Sequence, residues 1–146
     1  MRQLTVLLIA HNPQEVCLTQ QTFAQADPRH TLRVVRDGEE ALAYLLREGP
    51  YADSYSAPRP DVIVLDLPLP RLSGAVIVQR LKQDQRFKRM PIIVLAPSGR
   101  AEDVCQAYAA GANAYLQKPV EMARFLDVMG QLKKFWLETV ELPPDA

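Results

Sequence analysis

The sequence predicts an α/β fold: a doubly wound, five-stranded parallel sheet with five helices. Short apolar runs of strand length alternate with amphipathic runs of helix length along the 146 residues. The apolar runs are continuous, which is typical of parallel strands buried on both faces. This length suits one domain of ordinary size. We therefore expect a single domain over residues 1–146, with its core at about 4–130 and a C-terminal helical extension and tail at 131–146.

A sharp boundary separates the first predicted strand from the first predicted helix. Residues 4–10 form a continuous apolar run of strand length. Asn12 then makes a favourable N-cap, Pro13 suits the first helical position, and Glu15 completes the spacing of a capping box. The helix that follows is expected to end near Pro28.

Strands and helices continue in strict alternation. The remaining strands are predicted at residues 32–35, 62–66, 91–95 and 114–116. The remaining helices are predicted to follow Asp37, to span residues 75–84 and 102–110, and to begin near Met122. Between the second helix and the third strand, residues 49–60 are expected to form a loop that is longer than most connections of this kind.

Asp66 is the most informative single residue. It ends the third strand and is followed at once by proline and glycine punctuation, so it lies at the lip where open α/β sheets carry their chemistry. In the common flavodoxin-like order 2-1-3-4-5, strands one and three flank the topological switch point. Asp66 is therefore expected to face the turn that contains Ala10 and His11. Lys118 closes the fifth strand and is a candidate for the matching cation.

The composition limits the binding partners and the cellular compartment that we expect for this protein. The 17 basic and 17 acidic side chains balance, so neither nucleic acid nor an anionic membrane is expected as a partner. The N-terminal apolar run is too short for a signal peptide or a membrane span, which favours a cytoplasmic protein. Cys17 and Cys105 have no motif spacing, and we expect them to be buried thiols in a reducing compartment.

Taken together, these motifs resemble the receiver domain of bacterial response regulators. The resemblance covers roughly residues 4–130. It is carried by Asp66, residues 70–74, residues 111–115, Lys118 and Pro119. The long loop and the ending at 135–144 resemble, more narrowly, the small regulators paired with cyanobacterial and bacterial phytochromes. The resemblance implies a single-domain phosphorelay regulator that is not an enzyme and has no DNA-binding output domain. Its partner would be a phytochrome-type sensor histidine kinase.

The resemblance also implies a degenerate phosphorylation site. In that family, the aspartate that matches Asp66 accepts a phosphoryl group, and Mg²⁺ is held by this aspartate, an acidic pair after strand one and a backbone carbonyl. Here Ala10 and His11 replace the acidic pair, while the carbonyl of Pro68 remains available. Removing two carboxylates leaves a poor ligand set for a hard cation. We therefore expect no resident metal or other cofactor, and only weak Mg²⁺ binding.

The family's switch residues are changed as well. Ala96 replaces the hydroxyl residue that senses the phosphoryl group, whereas Lys118 and the aromatic Tyr115 are retained. Two interpretations of Asp66 stay open: an ion pair with Lys118 that satisfies a buried charge, or true phosphoacceptance. Tyr115 is either a mobile switch or a plain core residue.

Three interpretations of His11 stay open. It is a partly exposed loop residue, a ligand for a soft metal such as Zn²⁺, or a protonated imidazole that supplies the positive charge normally brought by the metal. For the whole chain, a flavodoxin-like enzyme or cofactor binder ranks last, because no glycine-rich phosphate loop follows the first strand.

The C-terminal segment is the other informative part of the chain. Apolar residues at helical spacing continue past the point where a receiver has surface left to cover. They include Phe135, Trp136 and Val140. Large aromatic side chains are unfavourable in water, so they either fold back on their own domain or bury against a partner. Because twofold homodimers are the commonest assembly, we expect these three residues at a homodimer interface.

Overall fold

A computed structural model describes residues 3–24, 30–53 and 57–144. The strands are Thr5–Ile9 (β1), Thr31–Val35 (β2), Val62–Asp66 (β3), Ile92–Ala96 (β4) and Ala114–Gln117 (β5). The helices are Pro13–Ala24 (α1), Gly38–Leu46 (α2), Gly74–Gln83 (α3), Ala101–Ala110 (α4) and Met122–Lys133 (α5). The strands are parallel and lie in the order β2-β1-β3-β4-β5, which confirms the predicted fold. No helix in the described part of the chain is long and apolar enough to cross a membrane.

Each face of the sheet buries its own core. Alternate residues along a strand point to opposite faces. Leu7 and Ile63 therefore belong to the core beneath α2, α3 and α4. Their neighbours Leu8 and Val64 belong to the core beneath α1 and α5. Burial on both faces explains why the strands read as continuous apolar runs.

The first helix begins where its cap was predicted. Asn12 Oδ1 accepts hydrogen bonds from the backbone N–H of Glu15 at 3.1 Å and from that of the preceding residue at 2.9 Å. Glu15, however, directs its carboxylate to Lys118 rather than back to the cap, so the predicted capping box is only half formed. Helix α1 is described as far as Ala24, and its predicted end near Pro28 lies outside the described residues.

The long connection between α2 and β3 packs against the domain. It opens with a 3₁₀ turn, Gly49–Tyr51, and the ring of Tyr51 lies 5.2 Å from that of Tyr44, centroid to centroid. The hydroxyl of Tyr44 donates to the carbonyl oxygen of Pro58 at 2.7 Å. Tyr44 of α2 therefore contacts the loop at two places, Tyr51 and Pro58.

The C-terminal extension departs from the predicted α-helical register. Helix α5 passes directly into a π-helical turn, Lys134–Thr139, in which each turn holds about one more residue than an α-helix. The buried residue after Leu132 is therefore Leu137, five positions on and 6% exposed. Trp136 is partly buried against the same core, whereas Phe135 stays 51% exposed. The extension thus folds back on its own domain through Leu137 and Trp136.

Both cysteines are exposed, so the prediction of buried thiols is wrong. Cys17 follows the buried Val16 on α1, and Cys105 precedes the buried Ala107 by two positions on α4. Neither position lies on the inward stripe of its helix. The helical register outweighs the general preference of cysteine for burial.

Candidate functional site

Asp66 is the last residue of β3 and lies at the carboxyl edge of the sheet. Its side chain is 4% exposed, and its Oδ1 accepts a hydrogen bond from Nζ of Lys118 at 2.8 Å. A buried carboxylate is costly unless a cation and hydrogen bonds satisfy it. The fold therefore brings together the carboxylate and the cation that lie 52 positions apart in the chain.

Lys118 reaches Asp66 across the end of β4. Its backbone N–H donates to the carbonyl oxygen of Ala96 at 2.6 Å, which positions the residue just past β5. Its ammonium donates to the carbonyl oxygen of Leu67 at 2.6 Å as well as to Asp66. Only 11% of the Lys118 side chain is exposed. The ammonium is thus held beside a strand that lies two places away from its own in the sheet.

Glu15 is the third charged residue of the cluster. Its Oε1 accepts a hydrogen bond from Nζ of Lys118 at 3.1 Å, and 20% of its side chain is exposed. In the sequence, a glutamate three residues after Asn12 is fully explained by a capping box. The sequence pattern therefore gives no reason to expect that Glu15 contacts the site. Only its position could have indicated this contact, because the first turn of α1 begins at the same edge of the sheet that carries Asp66.

Burial dominates the electrostatics of Asp66. It raises the pKa of that carboxyl from 3.8 to about 6, because removal from water disfavours the charged form. The hydrogen bond and the charge of Lys118 lower the pKa without cancelling the effect of burial, and the charge of Glu15 raises it further. Two carboxylates thus share one ammonium, and the cluster is net negative when all three groups are ionised.

Two of the positions that would be expected to hold Mg²⁺ carry no side-chain oxygen. Ala10 is fully buried and offers no side-chain oxygen, and His11 is exposed and offers nitrogen. Pro68 is also exposed and supplies at most a neutral carbonyl oxygen. Mg²⁺ prefers oxygen ligands in near-octahedral order. The two nearby carboxylates, those of Asp66 and Glu15, are already paired with the ammonium of Lys118. Across the described ranges, His, Cys, Asp and Glu side chains form no group of three that could hold a metal ion.

Tyr115 is anchored rather than loose. It lines a cavity of about 280 Å³ together with Ala96, and its hydroxyl donates to the carbonyl oxygen of Ser98 at 2.7 Å. The Oγ of Ser98 donates in turn to a carboxylate oxygen of Asp103 at 2.5 Å. A hydroxyl is therefore present two residues after Ala96, but it is directed to the first turn of α4. Neither Ser98 nor Asp103 carries a motif that would reveal this contact in the sequence.

An apolar groove opens next to Lys118. This groove has a volume of about 310 Å³, and its walls include Glu15, Lys118, Leu18, Val120 and Met122. Val120 is fully exposed, and Met122 is 49% exposed. Exposed apolar side chains grouped beside a charged site are typical of a surface that a partner covers.

The fold and the Asp66–Lys118 pair together define a class of protein. The family described as "Response regulator receiver domain" matches residues 6–129, and the chain belongs to this family. Response regulators of this type act in two-component signalling and are signalling proteins, not enzymes.

Several relatives are response regulators of phytochromes. "Response regulator Rcp1" of Synechocystis sp. is 35% identical over 138 residues, which cover 94% of this chain and 92% of Rcp1. The crystal structure of the phosphorylated cyanobacterial phytochrome response regulator RcpA is 34% identical, with a TM-score of 0.91 over 98% of this chain and 100% of that chain. The Mn²⁺-bound form of Rcp1 is 33% identical, with a TM-score of 0.89 over 97% and 99% of the two chains.

Proposed function

We propose that this protein is a single-domain response regulator that is paired with a phytochrome-type sensor histidine kinase and acts by binding other proteins. The similarity to Rcp1 and RcpA supports this type of kinase. The proposed setting is a cytoplasmic phosphorelay in which the regulator's Mg²⁺-dependent phosphoacceptor site is impaired.

The observation that carries the proposal is the arrangement of charges at Asp66. Phosphoryl transfer depends on positioning and on neutralisation of the charge that develops. Here a single ammonium, that of Lys118, contacts the carboxylates of both Asp66 and Glu15, and Ala10 contributes no metal ligand. An incoming phosphoryl group would add negative charge to a cluster that is already net negative. The expected result is slow phosphorylation.

The second candidate function is that of an ordinary phosphoacceptor regulator that is phosphorylated on Asp66. The close contact of Asp66 with Lys118 at 2.8 Å favours this function, as does the similarity to RcpA, whose structure is that of a phosphorylated regulator. The side chains of Ala10, His11 and Ala96 oppose it, because none of them supplies an oxygen to a metal or to a phosphoryl group.

Labelling by a small phosphodonor separates the two functions. The protein is incubated with acetyl phosphate and Mg²⁺ and followed by intact-mass spectrometry, beside an ordinary receiver domain and beside the variant Asp66→Asn. Our proposal predicts little phosphorylated protein when the ordinary receiver is fully labelled. Rapid, stoichiometric labelling of the wild type but not of Asp66→Asn would establish an ordinary phosphoacceptor instead.

The groove beside Lys118 is where we place the kinase. A phosphodonor must approach Asp66 from the carboxyl edge of the sheet, and the exposed Val120 and Met122 lie at this edge. Val120→Asp should weaken binding to a phytochrome-type kinase, because it introduces a charge into an apolar contact. Phe135→Ala, far along the chain in the C-terminal extension, is the control that should leave kinase binding unchanged. Equal affinity of Val120→Asp and the wild type in a calorimetric titration would rule out this docking site.

We further propose a homodimer that uses the C-terminal extension. Phe135 is 51% exposed and meets Trp136 edge to face, with ring centroids 5.5 Å apart. Trp136 and Val140 are both partly exposed. Since Trp136 already contacts its own core, Phe135 offers the larger unburied aromatic surface. A second copy related by a twofold axis would cover this surface in both protomers.

A further inference from the structure

The contact between Glu15 and Lys118 joins α1 to the phosphoacceptor strand. Nζ of Lys118 lies 3.1 Å from Oε1 of Glu15 and 2.8 Å from Oδ1 of Asp66. The same ammonium donates to the carbonyl oxygen of Leu67 at 2.6 Å. Its three N–H donors therefore have three acceptors, and none is left over for an oxygen of an incoming group.

The position of Glu15 is determined by the start of its helix. The side chain of Asn12 caps this end of α1 through the backbone N–H of Glu15, and Val16, the next residue, is buried in the core. The backbone of Glu15 is thus fixed, and its side chain extends toward Lys118 from a defined position. With 20% and 11% of their side chains exposed, the two residues form a pair that is shielded from water more than ordinary surface ion pairs.

We propose that Glu15 is a positioning residue that holds Lys118 between two carboxylates and thereby keeps Asp66 closed to phosphoryl transfer. This inference rests on the proposed function, because it names the group that impairs the site. Glu15 acts in two ways: it engages the cation that a phosphoryl oxygen would need, and it adds a negative charge near the place where that group must bind.

The charged and titratable groups around Asp66 come from three parts of the fold. Lys118 approaches from the end of β5 and Glu15 from the first turn of α1, while His11 lies exposed in the turn between β1 and α1. Of these, Glu15 is the group whose negative charge raises the pKa of Asp66. Neutralising Glu15 should therefore lower that pKa, and Glu15→Gln isolates the effect of the charge because glutamine keeps the size of the side chain.

The test compares the wild type with Glu15→Gln and Glu15→Ala, with Glu48→Gln as a matched control at an exposed glutamate. All four proteins are first checked for folding by circular dichroism. The side-chain pKa of Asp66 is then measured by carbon NMR without any phosphodonor. Labelling by acetyl phosphate follows, in which an oxygen of Asp66 bonds to phosphorus as the bond from phosphorus to the acetate oxygen breaks and acetate leaves.

Both variants at Glu15 should lower the pKa of Asp66, and both should speed its labelling by about tenfold or more, because the ammonium of Lys118 then has a donor free for the incoming phosphoryl group. Glu48→Gln should change neither. The inference is overturned if both Glu15 variants fold yet keep the pKa of Asp66 and the labelling rate of the wild type, or if labelling slows. Rapid labelling of the wild type itself would overturn the proposed impairment, whereas the NMR measurement would still report whether Glu15 acts on Asp66.

Discussion

The ammonium of Lys118 and the carboxylate of Asp66 meet 2.8 Å apart, although β4 lies between their strands in the sheet. The bond connects the ends of β5 and β3 and places a charged pair where 4% of the Asp66 side chain is exposed. In such a place burial and charge pairing act in opposite directions on Asp66. The balance between them determines how the protein responds to pH.

The raised pKa of Asp66 predicts that the folded protein becomes more stable as the solution becomes mildly acidic. Its pKa is about 6 in the folded protein and 3.8 as the reference value, so the folded state binds this proton more tightly than the unfolded state. The stabilisation is fully present below pH 3.8 and is lost as the pH rises through about 6. At about 1.4 kcal/mol per pKa unit, it amounts to roughly 3 kcal/mol.

Urea unfolding of the wild type and of Asp66→Asn across this pH range measures the effect. The asparagine variant lacks the titrating group, so it should be more stable than the wild type near neutral pH and should show a weaker pH dependence. If Asp66→Asn were instead less stable near neutral pH, the attraction of Lys118 would outweigh the cost of burying the charge.

Mg²⁺ should bind weakly to the wild type and more tightly to the double variant Ala10→Glu, His11→Asp. The two substitutions supply the oxygen ligands that this hard cation requires, and we expect the affinity to rise by about tenfold or more. Calorimetric titration measures both affinities, and His11→Ala is the control that adds no oxygen. A wild type that already binds as tightly as the double variant would contradict the ligand analysis.

Leu137→Ala should destabilise the protein far more than Phe135→Ala. Leu137 is 6% exposed within the core beneath α1 and α5, whereas Phe135 is 51% exposed. Truncating a buried leucine typically costs about 2–5 kcal/mol, while an exposed position changes stability by about 0.5 kcal/mol or less. Thermal unfolding at low protein concentration, where a dimer is dissociated, makes the comparison. Equal losses would mean that the extension does not rest on the core through Leu137.

Phe135→Ala should shift the proposed homodimer to monomer. Phe135 is 51% exposed, so covering it stabilises an interface by about 1 kcal/mol before the entropy of association is subtracted, and a twofold axis counts this contribution twice. Light scattering at micromolar concentrations measures the assembly, with Glu48→Gln as the control. A monomeric wild type would refute the dimer, and an unchanged dimer in Phe135→Ala would move the interface elsewhere.

The strands and the meeting of Asp66 with Lys118 could be predicted from the sequence. Continuous apolar runs identify strands that are buried on both faces, and the carboxyl ends of parallel strands share one edge of the sheet. A charged residue at the end of β3 and another just past β5 therefore had to lie on the same side of the molecule. The parallel sheet places both residues at one edge, and the long side chain of Lys118 reaches past β4 to Asp66.

The contact between Glu15 and Lys118 could not be predicted in the same way. A glutamate three residues after Asn12 satisfies a local rule for the start of a helix, and nothing in the local sequence says that its carboxylate turns to Lys118 instead. The contact depends on how α1 packs against the sheet, which is a matter of tertiary structure. The hydrogen bond between Ser98 and Asp103 could not be predicted for the same reason, because it forms only once α4 is in place.

The π-helical turn that follows α5 has a consequence for chain length. From Leu132, an α-helix would bring the fourth following residue to the core, but here the fifth, Leu137, occupies that place. The backbone thus accommodates one surplus residue by widening a single turn. Deleting one residue between Leu132 and Leu137 would return the segment to α-helical spacing with the same leucine at the core. The widened turn therefore lets the chain between the domain and its tail be one residue longer without losing this buried contact.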